Sequence, residues 1–78
     1  MTSHRNIVSD PRICHGKPCF RGTRILVSTI LDSLASGDSI ETLIREYRPI
    51  KRNDILEAIE YASTLTKGEE HYLVRKAV

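Results

Sequence analysis

The residue types with the greatest chemical potential lie close together, between positions 14 and 25. This stretch, CHGKPCFRGTRI, holds two cysteines, one histidine, one lysine and two arginines. Side chains of these kinds act as metal ligands, as a nucleophile with its base, or as contacts to phosphate and nucleic acid. Each of these roles requires a particular spacing, which the sequence either has or lacks.

The spacing disfavours a metal site, a catalytic site and a phosphate-binding loop. Cys14 and Cys19 are five residues apart, and the nearby histidines His4 and His15 do not complete the closely spaced ligand pairs typical of zinc sites. No Asp or Asn is placed to orient His15 as a base for Cys14. A P-loop continues its Gly-Lys pair with Ser or Thr, whereas here Pro18 follows. We therefore expect no enzymatic activity, no metal and no cofactor. The two cysteines are predicted to face each other across a hairpin as small hydrophobic residues.

Nucleic-acid binding remains open for this stretch. Residues 1–27 carry a net charge of +4, residues 28–47 carry −3, and residues 48–78 carry +1. A basic amino-terminal third is compatible with phosphate contacts and also with an ordinary solvated surface. Lys17 and Arg21 are candidate DNA contacts. Arg24 could instead pair with an acidic side chain of the middle segment.

The bulk properties favour one cytoplasmic domain. Seventy-eight residues are enough for one domain at most, with a modest core. No apolar run is long enough to span a bilayer, and the polar start lacks the apolar core of a signal peptide. We expect a cytoplasmic location, where the cysteines stay reduced.

Hydrophobic periodicity predicts three short helices after an extended, turn-rich segment. Each helix has apolar residues at a spacing of three and four, which places them on one face. The predicted faces are Val27, Ile30, Leu31, Leu34 and Ala35; Ile40, Leu43, Ile44 and Tyr47; and Ile55, Ala58, Ile59, Ala62 and Leu65.

Capping residues set the expected ends of these helices. Ser28 is the expected cap of the first helix, and Gly37 its end. Ser39 alone, or Asp38 together with an acid three residues later, caps the second. The third is expected to begin near Asp54 and to end at Gly68.

Three short helices with tight turns bury their faces only against one another. This arrangement is typical of a helix-turn-helix domain, and equally of small three-helix bundles that never contact DNA. We therefore predict a mainly α fold, a three-helix helix-turn-helix with a short N-terminal β-ribbon or extended arm. The domain is expected to span residues 1–67, with residues 68–78 as a C-terminal tail.

Several motifs resemble the small prokaryotic family known as domain of unknown function 433. They follow one another in the family's order over about residues 7–65. The motifs are Asp10-Pro11, Gly16-Lys17-Pro18, Arg21-Gly22-Thr23-Arg24-Ile25, Gly37-Asp38-Ser39, Tyr47 and Tyr61-Ala62. The resemblance implies a homeodomain-like helix-turn-helix, usually dimeric. It also implies an antitoxin that neutralises a PIN-like ribonuclease toxin encoded by the adjacent gene and represses its own operon.

This chain departs from the family pattern before the third helix. Arg48 stands between Tyr47 and Pro49, and Lys51 stands where the family often has a threonine cap. Lysine cannot accept the capping hydrogen bond, so the helix start is expected to be weaker by about 1 kcal/mol. The same changes add positive charge, so the first turn is a candidate contact to operator DNA. Its residues are Arg48, Lys51, Arg52 and Asn53.

The tail is the candidate toxin-binding segment under this resemblance. Its apolar residues have no evident place in a three-helix core, and a segment that folds on a partner suits them. The residues are Tyr72, Leu73 and Val74, with Arg75 or Lys76 available to reach the acidic metal site of the toxin. The tail could equally pack on its own domain or on a dimer mate. The rival functions are a stand-alone DNA-binding transcriptional regulator and a protein-only interaction module.

Overall fold

The computed structural model describes the backbone of residues 6–77 and the side chains of residues 6–67. In chain order the elements are β1 (Ile7–Val8), a short 3-10 turn (Cys14–Gly16), β2 (Cys19–Phe20), α1 (Val27–Ala35), α2 (Ile40–Glu46) and α3 (Arg52–Ala77). The three helices contact one another, and the two-stranded sheet lies against α1. The prediction of a mainly helical fold with a short N-terminal ribbon is confirmed.

The ribbon pairs its strands in a register that differs from the predicted hairpin. β1 and β2 are antiparallel, with Ile7 opposite Phe20 and Val8 opposite Cys19. The residue across from Cys19 is therefore Val8, and Cys14 lies in the 3-10 turn, so the predicted hairpin that places Cys14 opposite Cys19 is wrong. The chain turns early instead, where the Ile13 amide donates to the Asp10 carbonyl at 2.8 Å.

The turn at Cys14–Gly16 is left-handed. Cys14, His15 and Gly16 have φ angles of +53°, +56° and +80°. Such angles suit glycine but cost an L-residue roughly 1–2 kcal/mol each. The Lys17 amide closes this turn by donating to the Cys14 carbonyl at 3.0 Å.

The core is built from all three helices and from β2. Its buried side chains are Phe20, Val27, Ile30, Leu43, Ile50, Ile55 and Ala58. The predicted faces of α1 and α2 are buried or partly buried except for Ala35, which is exposed. On α3, Ile59 and Leu65 are 42% and 62% exposed, so their placement in the core was wrong. The short helices α1 and α2 cover only the part of α3 that carries Ile55, Ala58 and the half-buried Ala62.

The end of α1 and the start of α2 are formed by the residues that the sequence predicts. The Gly37 amide donates to the Leu34 carbonyl and the Asp38 amide to the Ser33 carbonyl, both at 3.0 Å, with Gly37 at φ +103°. This pair of bonds is a Schellman motif, which ends α1 at the predicted glycine. The Ser39 hydroxyl accepts from the Thr42 amide at 3.1 Å and caps α2, as predicted.

The start of α1 differs from the prediction. Leu26 occupies the cap position and makes no side-chain capping bond, so Ser28 is not the cap. The amide of Val27 instead donates to the carbonyl of Pro18 at 3.0 Å. A loop carbonyl from outside the helix thus satisfies a donor that a side chain was expected to satisfy.

α3 is longer than predicted. It continues through Gly68 to Ala77, so the expected end at Gly68 is wrong. One glycine inside a helix costs about 1 kcal/mol relative to alanine, a penalty that a helix of 26 residues can tolerate. Within the described residues, no helix combines the length and the apolar character needed to cross a bilayer.

Candidate nucleic-acid and partner interfaces

The Arg21–Ile25 segment forms a tight turn that projects two arginines outward. The Thr23 amide donates to the Phe20 carbonyl at 3.0 Å, and Gly22 has a φ of +79°. The Thr23 hydroxyl donates to the same carbonyl at 2.8 Å and accepts from the Ile25 amide at 3.0 Å. This double role of Thr23 holds Phe20 in the core while Arg21 and Arg24 remain exposed.

Arg24 forms no ion pair with the acidic helices among the described side chains. Arg12 pairs with Asp10 and Arg52 with Glu41, and Arg24 takes part in neither pair. The expected alternative of an ion pair between Arg24 and the middle segment is therefore absent from residues 6–67. The Arg24 carbonyl accepts a hydrogen bond from the Cys14 thiol at 3.5 Å.

The start of α3 is capped from inside the helix. Lys51 occupies the position before the first helical residue, and its amide donates to Asp54 Oδ2 at 3.0 Å. This bond is the carboxylate half of a capping box, in which the third helical residue reaches back to the cap residue. Asp54 therefore supplies part of the stabilisation that Lys51 cannot provide.

Arg52, on the first turn of α3, is paired with α2. Its Nη2 donates to Glu41 Oε2 at 2.6 Å, with side chains 54% and 64% exposed. The pKa of Glu41 is lowered by its own backbone amide and by this hydrogen bond from Arg52. An exposed pair of this kind contributes little to stability, so the guanidinium can exchange Glu41 for another anion at small cost.

The structure groups four of the predicted DNA contacts at one end of the molecule. Arg48, Lys51, Arg52 and Asn53 are all exposed and lie where α2 gives way to α3. Arg48 precedes a cis peptide bond to Pro49. We call this set the α3 start.

Arg21 lies beside the α3 start. Its amide donates to the Asn6 carbonyl at 2.7 Å. Asn6 in turn donates through its side chain to Asp54 Oδ1 at 2.8 Å and through its amide to Glu57 Oε2 at 3.1 Å. Asn6, the residue before β1, thus connects the Arg21 turn to the first two turns of α3.

Lys17 belongs to a different surface. It lines a mainly apolar groove of about 410 Å³ between α1, the loop before β2 and the middle of α3. The other lining residues are Pro18, Val27, Ser28, Leu31, Tyr61, Ala62 and Leu65. Sequence reasoning missed this groove, because Leu65 has the same helical phase as the core residues and its exposure depends on where α1 ends.

The candidate toxin-binding side chains lie outside those that the structure describes. Tyr72, Leu73, Val74, Arg75 and Lys76 fall on the last turns of α3, of which the backbone alone is described. Their role and the division of the chain at residue 67 stay predictions.

The described part of the chain contains no cluster of potential metal ligands. There, no three His, Cys, Asp or Glu side chains come together in an arrangement that could hold an ion. Cys14 is half-buried and Cys19 is fully buried, and both are free thiols.

Comparison with protein families gives one match. A family model described as "Protein of unknown function (DUF433)" matches residues 7–62. The chain belongs to the DUF433 family. No curated protein and no solved structure matches it.

The matched region of this DUF433 protein coincides with its packed core. The match ends at residue 62, and Ala62 is the last α3 residue that is at least half-buried among the described side chains. α3 continues past the family match from residue 63 to Ala77, and its described side chains there, residues 63–67, are exposed. We call this segment the α3 extension.

Proposed function

We propose that this DUF433 protein is a cytoplasmic antitoxin of a type II toxin–antitoxin pair. In this role it neutralises a PIN-like ribonuclease encoded by the adjacent gene and binds operator DNA to repress its own synthesis. The motif resemblance supports the proposal, since Gly16-Lys17-Pro18 and the Arg21–Ile25 turn occur in the expected order within a matched DUF433 region.

The α3 extension is the observation that carries the partner-binding half of the proposal. It adds about 22 Å of helix at about 1.5 Å per residue. An isolated helix of this length is marginal in water, because most helical stability in proteins comes from packing of an apolar face. Leu65, at its beginning, is 62% exposed and adjoins the open groove. A protein partner on the exposed residues 63–67 would supply packing of this kind.

The α3 start supports the operator-binding half. We propose that α1, α2 and α3 act as a homeodomain-like helix-turn-helix in which α3 enters the major groove by its first turn. The contacts would be Arg48, Lys51, Arg52 and Asn53, with Arg21 reaching the flanking backbone. Lys17 lines the groove and is not part of this proposed surface. Glu57 and Glu60 follow on α3, and their charge would limit the contact to the first turn.

The ribbon is the proposed contact between two copies of the chain. β2 is paired on both sides, with β1 and with the segment from Ile25 to Val27, so β1 is the edge strand that would pair with a second ribbon. A homodimer of this kind would present two α3 starts to the two halves of an operator.

Co-purification with the neighbouring gene product tests the proposal. The tagged full chain, expressed with that open reading frame, should retain its product, and replacing Tyr72 and Leu73 together by alanine should release it. The matched control replaces Thr64 and Thr66, two exposed α3 residues, by alanine and should retain the partner. Loss with both variants would contradict the role given to the tail residues.

A gel shift with the DNA upstream of the gene separates the rival functions. A shift without a co-purified partner would favour a stand-alone transcriptional regulator. A partner without a shift would favour a protein-only interaction module. Both results together are what the antitoxin proposal requires.

A further inference from the structure

Cys14, in the 3-10 turn, and Cys19, in β2, are placed in a way that a purely hydrophobic role does not require. Although Cys14 and Cys19 are not strand partners, both lie against the segment from Arg24 to Leu26. The Cys14 thiol donates to the Arg24 carbonyl at 3.5 Å, and Cys19 forms an antiparallel bridge with Leu26. Cys14 is also close enough to Cys19 to raise the pKa of the Cys19 thiol. Cys14 reaches this position from a left-handed backbone conformation, with φ at +53°. Cysteine has no intrinsic preference for that conformation, so tertiary contacts must maintain it.

The two thiols differ in their access to solvent. Cys14 is half-buried, whereas the exposed fraction of Cys19 is 0%. Burial raises the pKa of the Cys19 thiol, and the nearby Cys14 raises it further. Cys19 therefore stays protonated and protected, and a small oxidant from solvent reaches Cys14 first.

We propose that Cys14 and Cys19 form a reversible intramolecular disulfide, with Cys14 as the thiol oxidised by a hydroperoxide and Cys19 as the resolving thiol. The proposal rests on the placement of both cysteines against the segment from Arg24 to Leu26 and on their unequal exposure, and it is independent of the antitoxin function.

The chemistry needs a hydroperoxide as the single co-reactant. Cys14 Sγ attacks one peroxide oxygen, the O–O bond breaks, and the products are a Cys14 sulfenic acid and an alcohol or water. Cys19 Sγ then attacks Cys14 Sγ, the S–O bond breaks, and the oxygen leaves as water with the proton of the Cys19 thiol. The sulfur pair loses two electrons, which reduce the peroxide, and a dithiol reductant reverses the change.

The disulfide would alter the contacts of the neighbouring turn. In the reduced protein the Cys14 thiol donates to the Arg24 carbonyl at 3.5 Å. Oxidation consumes that proton, so the carbonyl loses this donor. The bond also closes a short ring that contains the exposed residues His15 and Lys17.

The first test treats the reduced full chain with stoichiometric hydrogen peroxide and then with an alkylating reagent. We expect the intact mass of the monomer to fall by about 2 Da, with no alkyl groups added, and to return to the reduced value with dithiothreitol. Disulfide-linked dimers, or a monomer that gains oxygen without losing two hydrogens, would overturn the proposal.

Two variants assign the roles of the sulfur atoms. In Cys19→Ala the Cys14 sulfenic acid should persist and be trapped by dimedone. In Cys14→Ala the remaining thiol should resist the same peroxide dose. Dimedone trapping at Cys19 in preference to Cys14 would reverse the assignment and contradict the proposal.

A measurement on the wild-type protein tests the order of oxidation even if a cysteine variant fails to fold. Iodoacetamide should alkylate Cys14 at least about tenfold faster than Cys19 under native conditions, because only Cys14 is accessible. Equal rates under conditions where circular dichroism confirms the fold would exclude the proposed order of oxidation.

Discussion

At the residue scale, a few side chains determine the backbone of the ribbon and its turns. Thr23 satisfies one carbonyl and one amide with a single hydroxyl, and Gly22 adopts a φ of +79° that an L-residue rarely takes. Both features follow from residue types that are visible in the sequence. The left-handed angles of Cys14 and His15 do not, because neither residue type signals them.

His15 gives the sharpest test of that left-handed turn. It is exposed and has a φ of +56°, so replacement by β-branched valine should destabilise the protein by about 1–2 kcal/mol through backbone strain. Chemical denaturation measures this change. Lys17→Val is the matched control, since Lys17 is also exposed but has a φ of −75°. A cost at Lys17 as large as that at His15 would show that strain is not the cause.

At the element scale, helix ends follow sequence rules where the required partner is local. Gly37 ends α1 and Ser39 caps α2. Each of the hydrogen bonds involved joins residues that are at most five positions apart in the sequence. The start of α1 and the end of α3 departed from prediction for a common reason. In each case the outcome depended on atoms or packing outside the local segment, such as the Pro18 carbonyl that accepts from Val27.

The two serine positions separate a true cap from an apparent one. Ser39→Ala should lower the free energy of unfolding by about 1 kcal/mol, because the Thr42 amide loses its acceptor. Ser28→Ala should leave stability unchanged or raise it slightly, since the exposed Ser28 lies inside α1 and alanine is the better helix former. Thermal and denaturant unfolding of both variants gives the comparison. Equal losses would indicate that Ser28 also caps a helix.

At the scale of the whole molecule, the predicted DNA contacts divide between two surfaces. The α3 start joins Arg48, Lys51, Arg52 and Asn53 at one end, and Lys17 lies at the groove two to three turns further along α3. Glu41 and Asp54 lie within hydrogen-bonding distance of the α3 start and reduce its net charge. The proposed DNA contact is therefore local, and a few phosphates should account for it.

The salt dependence of DNA binding tests that placement. Replacing Lys51 and Arg52 together by alanine should weaken binding to any DNA sequence. It should also lower the slope of log affinity against log salt by about 2, the loss of two phosphate contacts. A gel shift or anisotropy titration over a salt series provides the slope.

A control with the same change in net charge accompanies that experiment. Arg12 and Lys67 are exposed and lie outside the α3 start, so replacing both by alanine should change the slope much less. If the two double variants reduce the slope equally, the effect is one of total charge, and the α3 start is not the contact surface.

The sequence by itself determined the three helices, most of their buried faces, the glycine and serine at the α1–α2 turn, and membership of the DUF433 family. These depend on periodicity, local hydrogen bonds and ordered motifs, all of which act over a few residues. Tertiary structure alone decided the strand register, the pairing of Arg52 with Glu41, and the exposure of Leu65. Each of these depends on which distant segments lie side by side. Hydrophobic periodicity identifies the apolar face of a helix, but it does not show where the helices packed against that face end.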